Sequence, residues 1–423
     1  MLIEFRTKNF RSLRDEQVLS LVASTDKTQL ETHAVSLGLK SASHVLKSAV
    51  VYGANASGKS NLIKALQFMQ GVVLESASLK PDQTFDRLQP FRLDDTSCDH
   101  PSEFEVMFML DGVRHQYGVV MTKQRIVNEY LLVYKAFKPQ RWFNRHFDRE
   151  TGKDVYEFGS GLRGPKNLWE GATRPNALFL SMAVQLNSET LRPVYNWFSN
   201  HLVIFNEFSQ LTPQFSTQIL KHENQRQAIC NLLQTADIGI ANLEVSSKQA
   251  KVHTVHFDLS TGERKEEIGD EMLDEVKFHH ITPQGKNIFD FEDESSGTRN
   301  LFCYAGPILD ILDKGLALVV DELDTSLHPL LVQALVRLFH RPESNTGDAQ
   351  LIFTTHDTSL LDAYGLFRRD QIWFVEKHLD QSSSLFPLSD FSPRKNEALE
   401  RGYLQGRYGA LPFLNNQDLG VQG

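Results

Sequence analysis

Gly53, Ala54, Asn55, Ala56, Ser57, Gly58, Lys59 and Ser60 spell G-x-x-x-x-G-K-[ST], a spacing suited to a polyphosphate. Glycine lets backbone N–H donors come close to phosphate oxygens. Lys59 would set an ammonium against the β- and γ-phosphates, and Ser60 would offer Mg²⁺ a hydroxyl ligand. The flanks agree. Ser48 to Gly53 (SAVVYG) reads as a short buried strand. Asn61 opens NLIKALQFM, where Leu62, Ile63, Leu66 and Met69 recur at helical spacing. The phosphates would therefore meet a helix N-terminus, where free N–H groups and the helix dipole favour anions.

Leu316 to Pro329 (LALVVDELDTSLHP) is the second chemical stretch. Five apolar residues followed by Asp321 and Glu322 read as a buried strand that delivers two carboxylates at its C-terminal end. Ligands of open α/β sheets bind at that edge. Asp321 would be a second Mg²⁺ partner beside Ser60, and Glu322 would polarise an attacking water. Ser295, Ser296 and Gly297 open a helix with Leu301, Phe302, Ala305, Ile308 and Leu309 as its apolar residues. Taken alone this is an ordinary helix cap, but hydroxyls and N–H groups at a helix start also suit an anion. Gln350 to Asp357 (QLIFTTHD) reads as a further buried strand, with His356 just beyond it.

These groups need a frame, and the rest of the chain supplies one. The 423 residues are 41% hydrophobic and 23% charged, enough for one large or two modest globular domains. A net charge of −9 speaks against a whole-surface nucleic-acid binder. No apolar run has membrane-spanning length, and MLIEFRTKNF lacks a signal peptide's apolar centre. Cys98, Cys230 and Cys303 are scattered and odd in number, which fits a reducing cytoplasm. Leu2 to Phe10 and Gln17 to Val22 read as strands. Glu103 to Leu110, Arg114 to Thr122 and Arg125 to Tyr134 alternate apolar and polar, with Asp111–Gly112 as a hairpin turn. Lys135 to Asp154 is dense in cations and aromatics. It reads as a solvated hairpin or, alternatively, as a contact surface using Arg141, Trp142, Arg145 and His146. The pattern is helical from about Asn176 to Gln234 and strand-like again at Leu243 to Ser260 and Glu275 to Thr282.

In this order the motifs resemble those of the ABC-type ATPases, including the SMC and break-repair branches. Gly53–Ser60 corresponds to Walker A, Ser295–Thr298 to the signature, Asp321–Glu322 to Walker B, Leu323–Leu327 to the D-loop and His356 to the switch histidine. Lys8 to Leu13 (KNFRSL) is similar to a turn that approaches the nucleotide in the SMC-like group, which implicates Arg11 and Ser12. Gln89 is the candidate Q-loop glutamine and metal partner. The chain departs from the pattern in carrying ESSGT instead of a Gly-Gly signature, and no coiled coil joins the Walker motifs. A closer resemblance is to stand-alone AAA-type ATPases of bacterial abortive-infection loci, the RloA/AbiL type, relatives of the ATPase part of OLD proteins. It rests on IEFRTKNFRSLRDEQVLSLVAS, ESSGT, DELDTSLHP and YLQGRYGALP.

This resemblance implies an α/β ABC-type phosphate-loop head, a mixed sheet plus an antiparallel meander, with a helical insertion. The expected divisions are 1–175 and 281–423 for the two parts of the head and 176–280 for the insertion. It further implies MgATP as cofactor and a homodimer in which Ser295 to Gly297 complete the neighbour's site. Lys59 and Glu322 would act on the phosphates and water, and His356 would sense the γ-phosphate. The partner would be a separately encoded effector, a Toprim or RloB-like nuclease, since only about 47 residues follow Glu376. A phage protein or nucleic acid is a further candidate. Two other readings compete: a DNA-repair ATPase of the recombination-mediator type that grips duplex DNA, and a scaffold that binds ATP without turning it over.

Overall fold

The structure is a computed structural model and describes residues 1–38, 43–135, 138–206, 211–235, 239–257, 264–283, 285–325, 327–391 and 397–411. Ala136, Phe137, Glu207 to Gln210, Asp258 to Ser260, Ser326 and Pro412, which fall within stretches singled out above, lie outside the described residues. In chain order the strands are β1 (Leu2–Lys8), β2 (Gln17–Ser20), β3 (Ala34–Ser36), β4 (His44–Leu46), β5 (Ser48–Gly53), β6 (Ser102–Leu110), β7 (Val113–Met121), β8 (Ile126–Tyr134), β9 (Gln140–Asp148), β10 (Lys153–Phe158), β11 (Leu202–Phe205), β12 (Ile240–Phe257), β13 (Arg264–Thr282), β14 (Gly285–Asp290), β15 (Ala317–Val320), β16 (Gln350–Thr354), β17 (Ile372–Lys377) and β18 (Ser383–Pro387).

Two compact units form. The first comprises Met1–Glu207, Leu312–Asp324 and Leu335–Gly423, and the second Phe208–Ile311 and Thr325–Ala334. The first unit holds two large sheets. One is antiparallel throughout, in the order β10-β9-β8-β7-β6-β1-β2. Its β6–β7 corner is the expected hairpin: Asp111 and Gly112 both take left-handed φ, 50° and 72°, as a tight turn between right-twisted strands requires. The other sheet runs β11-β15-β16-β5-β17-β18. Neighbours from β11 to β17 are parallel, and β18 returns antiparallel to β17. All six residues of β5 are buried, as expected of a central parallel strand covered on both faces.

The helix Lys59–Glu75 touches β5 on one side and β1 and β6 on the other. That position explains its sequence. Leu62, Ile63, Ala65, Leu66, Met69, Val72 and Val73 are all buried, a broader stripe than a surface helix needs. The expected meander and mixed sheet are therefore both present, and this helix is the layer between them.

The stretch expected to be a helical insertion, 176–280, behaves differently. Phe179–Gln185 is a helix, yet Leu178, Phe179, Leu180, Trp197 and Phe198 belong to the core of the first unit. Beneath that helix lies Glu129, fully buried. Its carboxylate accepts the N–H groups of Phe179 at 2.6 Å and Leu180 at 2.9 Å, and the Tyr117 hydroxyl at 2.9 Å. The second unit carries the helices Pro213–Ile219 and Glu223–Thr235, but β12, β13 and β14 form an antiparallel sheet beside them. It is a mixed unit, and its divisions fall at 207 and 311 rather than 175 and 280.

The cationic stretch is also corrected. Arg145 is 1% exposed. It donates to the Ala177 carbonyl at 2.6 Å, the Arg174 carbonyl at 3.1 Å and Asp154 at 2.9 Å. Trp142 is buried too, and Arg141 pairs with Glu157 across the β9–β10 hairpin. A contact surface built on Arg145 and Trp142 is excluded, because both side chains are buried; a register shift in the β8–β9 pairing lets Trp142 and Phe143 both turn inward.

Candidate active site

The parallel strands β15, β16, β5 and β17 present their C-terminal ends along one edge. The phosphate loop leaves that edge from β5. Gly53 must be small there, since a Cβ would lie 2.5 Å from the Val375 carbonyl oxygen. Gly58 has φ 114°, and a Cβ on it would meet Ser383 Oγ at 2.5 Å and Ser12 Oγ at 2.8 Å. Both glycines are thus required by close approach as well as by backbone freedom.

Lys59 begins the helix and is buried. Its ammonium donates to the Gly53 carbonyl at 2.8 Å and the Ala54 carbonyl at 3.2 Å. Withdrawal from water lowers its pKa to about 8, against the opposing pull of Glu322, Asp321 and Asp324. An arriving phosphate would restore the fully charged form. A cavity of about 600 Å³ is lined by Ala54, Asn55, Ala56, Ser57, Gly58, Lys59, Ser60 and Asn61 together with Glu322, His356 and Lys377.

Thr354, the fully buried last residue of β16, holds the carboxylates. Its hydroxyl donates to Asp321 Oδ1 at 2.6 Å and accepts the Glu322 N–H at 2.7 Å. Its carbonyl accepts Leu323 N–H at 3.1 Å. Glu322 sits at φ 55°, a left-handed conformation that costs an L-residue about 1–2 kcal/mol and persists only where its surroundings impose it. His356 Nε2 lies 3.8 Å from Glu322 Oε1, both side chains being part-exposed. The His356 N–H donates to Asp324 Oδ2 at 3.3 Å, so the histidine and the stretch after Walker B are joined.

The remaining candidates divide. Ser12 reaches the phosphate loop: its Oγ accepts from Asn61 Nδ2 at 2.8 Å and lies 2.8 Å from Ser383 Oγ. Arg11 and Gln89 do not. The Arg11 N–H donates to the Gln89 carbonyl at 2.6 Å, and both residues line a separate cavity of about 820 Å³ beside Lys64, Gln67 and Phe68. Arg11 has φ 53°, so the turn swings its side chain away from Ser12's direction. Neither Arg11 nor Gln89 lines the cavity that holds Lys59 and Ser60. Ser295 belongs to the second unit. It caps the helix Ser296–Lys314, its Oγ accepting Thr298 N–H at 3.1 Å. Ser295 and Ser296 are exposed, and a Cβ on Gly297 would meet only Ser295 Oγ, at 3.9 Å. The helix start is thus open to solvent.

Two residues at the site were missed, Lys377 and Ser383. They come from the β17–β18 hairpin, and Ser383 donates to the Ser57 carbonyl. In sequence both look like polar residues flanking a surface turn, and nothing marks them.

Hard oxygen donors at Ser60 and Asp321, beside N–H donors and Lys59, have the chemistry to hold a magnesium-bound polyphosphate. Fold and site define an α/β phosphate-loop nucleotide-binding domain. Within that class, a family model described as "AAA domain, putative AbiEii toxin, Type IV TA system" matches residues 48–362, and the chain belongs to this family. No curated protein sequence matches it. Among solved structures, an SMC head bound to the C-winged helix domain of ScpA is similar at 14% identity and a TM-score of 0.44, over 91% of this chain and 97% of that one. Among the described residues no helix is long and apolar enough to cross a membrane.

Proposed function

We propose that this chain binds MgATP, hydrolyses it as a homodimer, and thereby controls a separately encoded effector in a bacterial defence system. The observation that carries the enzymatic part is the convergence of Lys59, Ser60, Glu322 and His356 on one cavity. Bound Mg²⁺ would neutralise phosphate charge; Ser60 and Asp321 would hold it. Lys59 and the loop amides bind and orient the phosphate chain. Glu322, part-exposed and fixed by its left-handed backbone, orients water and accepts its proton. His356, within 4 Å of Glu322, contributes a second polar group on the same side. Support for the defence role comes from the family description, which names a putative toxin of a type IV toxin–antitoxin system. The rival nucleic-acid reading loses its main support with the burial of Arg145 and Trp142.

The test is Mg²⁺-dependent ATP turnover. Glu322→Gln should retain ATP affinity and lower the rate by roughly 10²–10⁴-fold, the usual contribution of a general base. Wild-type turnover in that variant would overturn the assignment. Binding without turnover in the wild-type protein would favour the scaffold.

A further inference from the structure

Lys377 is the last residue of β17, and β17 is the neighbour of the phosphate-loop strand on the side away from β16. Glu322 and His356 follow β15 and β16, on the other side of β5. The register Val375↔Gly53 sets β17 against the first residue of the loop. Strand alternation then gives Lys377 the same face as Trp373 and Val375, which pack in the core with Leu62 and Ile63 of the phosphate-loop helix. Glu376, on the opposite face, accepts the Ala410 N–H at 3.1 Å and so is occupied elsewhere.

The hairpin carrying Lys377 is fixed to the loop. Lys377 pairs in register with Ser383. The Ser383 hydroxyl donates to the Ser57 carbonyl, and its N–H donates to the Ser12 carbonyl at 2.8 Å. Lys377 lines the cavity with Lys59 and Ser60. Among the described residues it has no ion-pair partner. A half-buried lysine that lines one cavity with the phosphate loop and Lys59 is suited to an anion.

We infer that Lys377 is a second phosphate-binding cation, contacting the nucleotide's phosphate chain from the flank opposite Glu322. The inference rests on the nucleotide-binding reading above. Lys59 holds the chain from within the loop, and Lys377 closes it from the β17 side. Ser12 and Ser383 are the positioning residues that fix this hairpin.

The test compares wild type, Lys377→Ala, Lys377→Gln, Lys377→Arg and Lys59→Ala, displacing a fluorescent ATP analogue with ATP, ADP and adenosine. Thermal melts by circular dichroism accompany each variant. Loss of a charge-assisted contact should weaken ATP binding by roughly ten- to a hundredfold in the Ala and Gln variants. Arg should recover most of that loss, adenosine displacement should be unchanged, and the dependence of ATP affinity on salt should become shallower. Wild-type ATP affinity in Lys377→Ala, or equal losses for ATP and adenosine, would overturn the inference. If wild type binds no nucleotide, the parent reading fails. If Lys59→Ala abolishes binding while Lys377→Ala leaves it intact, only the present inference fails.

Discussion

Thr354→Val removes one hydroxyl from the floor of the site while keeping its shape. The side chain is fully buried, and a methyl fills the vacated position, so packing survives. Two hydrogen bonds do not: the donation to Asp321 at 2.6 Å and the acceptance from Glu322 N–H at 2.7 Å. The first is charge-assisted, worth about 1.5–3 kcal/mol. The second restrains a residue whose left-handed backbone carries about 1–2 kcal/mol of strain. Part of that restraint remains through Leu323 N–H on the Thr354 carbonyl. The combined loss is about 2–4 kcal/mol, which corresponds to roughly 30- to 1,000-fold in rate if it is felt in the transition state. The phosphate loop touches neither bond, so nucleotide affinity without Mg²⁺ should stay within about twofold of wild type, well below one 1.4 kcal/mol decade. Steady-state phosphate release and Mg²⁺-free nucleotide titration make the comparison. Turnover at the wild-type rate would refute the role given to Thr354. Parallel loss of binding and turnover would show that it supports the whole sheet edge instead.

A site shared between two copies predicts rescue between dead variants. Lys59→Ala mixed with Ser296→Arg should regain at most roughly a quarter of wild-type turnover, since random exchange makes half the dimers mixed and each holds one intact site. Failed rescue together with a monomer at saturating ATP, seen by sedimentation of Glu322→Gln, would exclude sharing. Arg145→Met leaves Glu129 and Asp154 without their buried cation and should cost about 3–5 kcal/mol in urea unfolding of the first unit. Arg141→Ala, at an exposed pair, should cost no more than about 1 kcal/mol; equal shifts in the two variants would contradict the burial pattern.

The parts of this molecule that were legible in sequence are those where local pattern and tertiary role agree. Gly53 to Ser60 lies between a wholly apolar strand and a helix with a broad apolar stripe, and each neighbour alone restricts what the loop can be. The meander announced itself by alternation and by Asp111–Gly112. Arg145 was misread because cations near aromatics look the same whether solvated or paired inside. Only Glu129 and Asp154, 16 and 9 positions away in the chain, distinguish the cases. Phe179–Gln185 was misplaced for a similar reason: helical spacing is local, while the carboxylate that seats its N-terminus comes from β8. Lys377 and Ser383 were invisible because their importance arises from register with Gly53 and contact with Ser57, over 300 residues upstream. Arg11 was over-read, since proximity in sequence to Ser12 does not survive one left-handed residue, and Gln89 lines the same separate cavity as Arg11.

The strand order of the parallel sheet has a consequence for the chain's birth on the ribosome. β5 ends at Gly53, yet both its neighbours, β16 and β17, begin only at Gln350 and Ile372. At roughly 5–20 residues per second, about 300 residues of synthesis leave β5 without its partners for roughly 15–60 s. Throughout that time SAVVYG is an apolar segment with two unpaired edges, the kind that recruits other chains. The seven-stranded sheet, by contrast, has all its strands once Phe158 has emerged. It can offer the phosphate-loop helix a partner surface through β1 and β6 while the other half is still being made. Yield from overexpression should therefore depend on translation rate and on holdase chaperones more than the finished protein's stability would suggest.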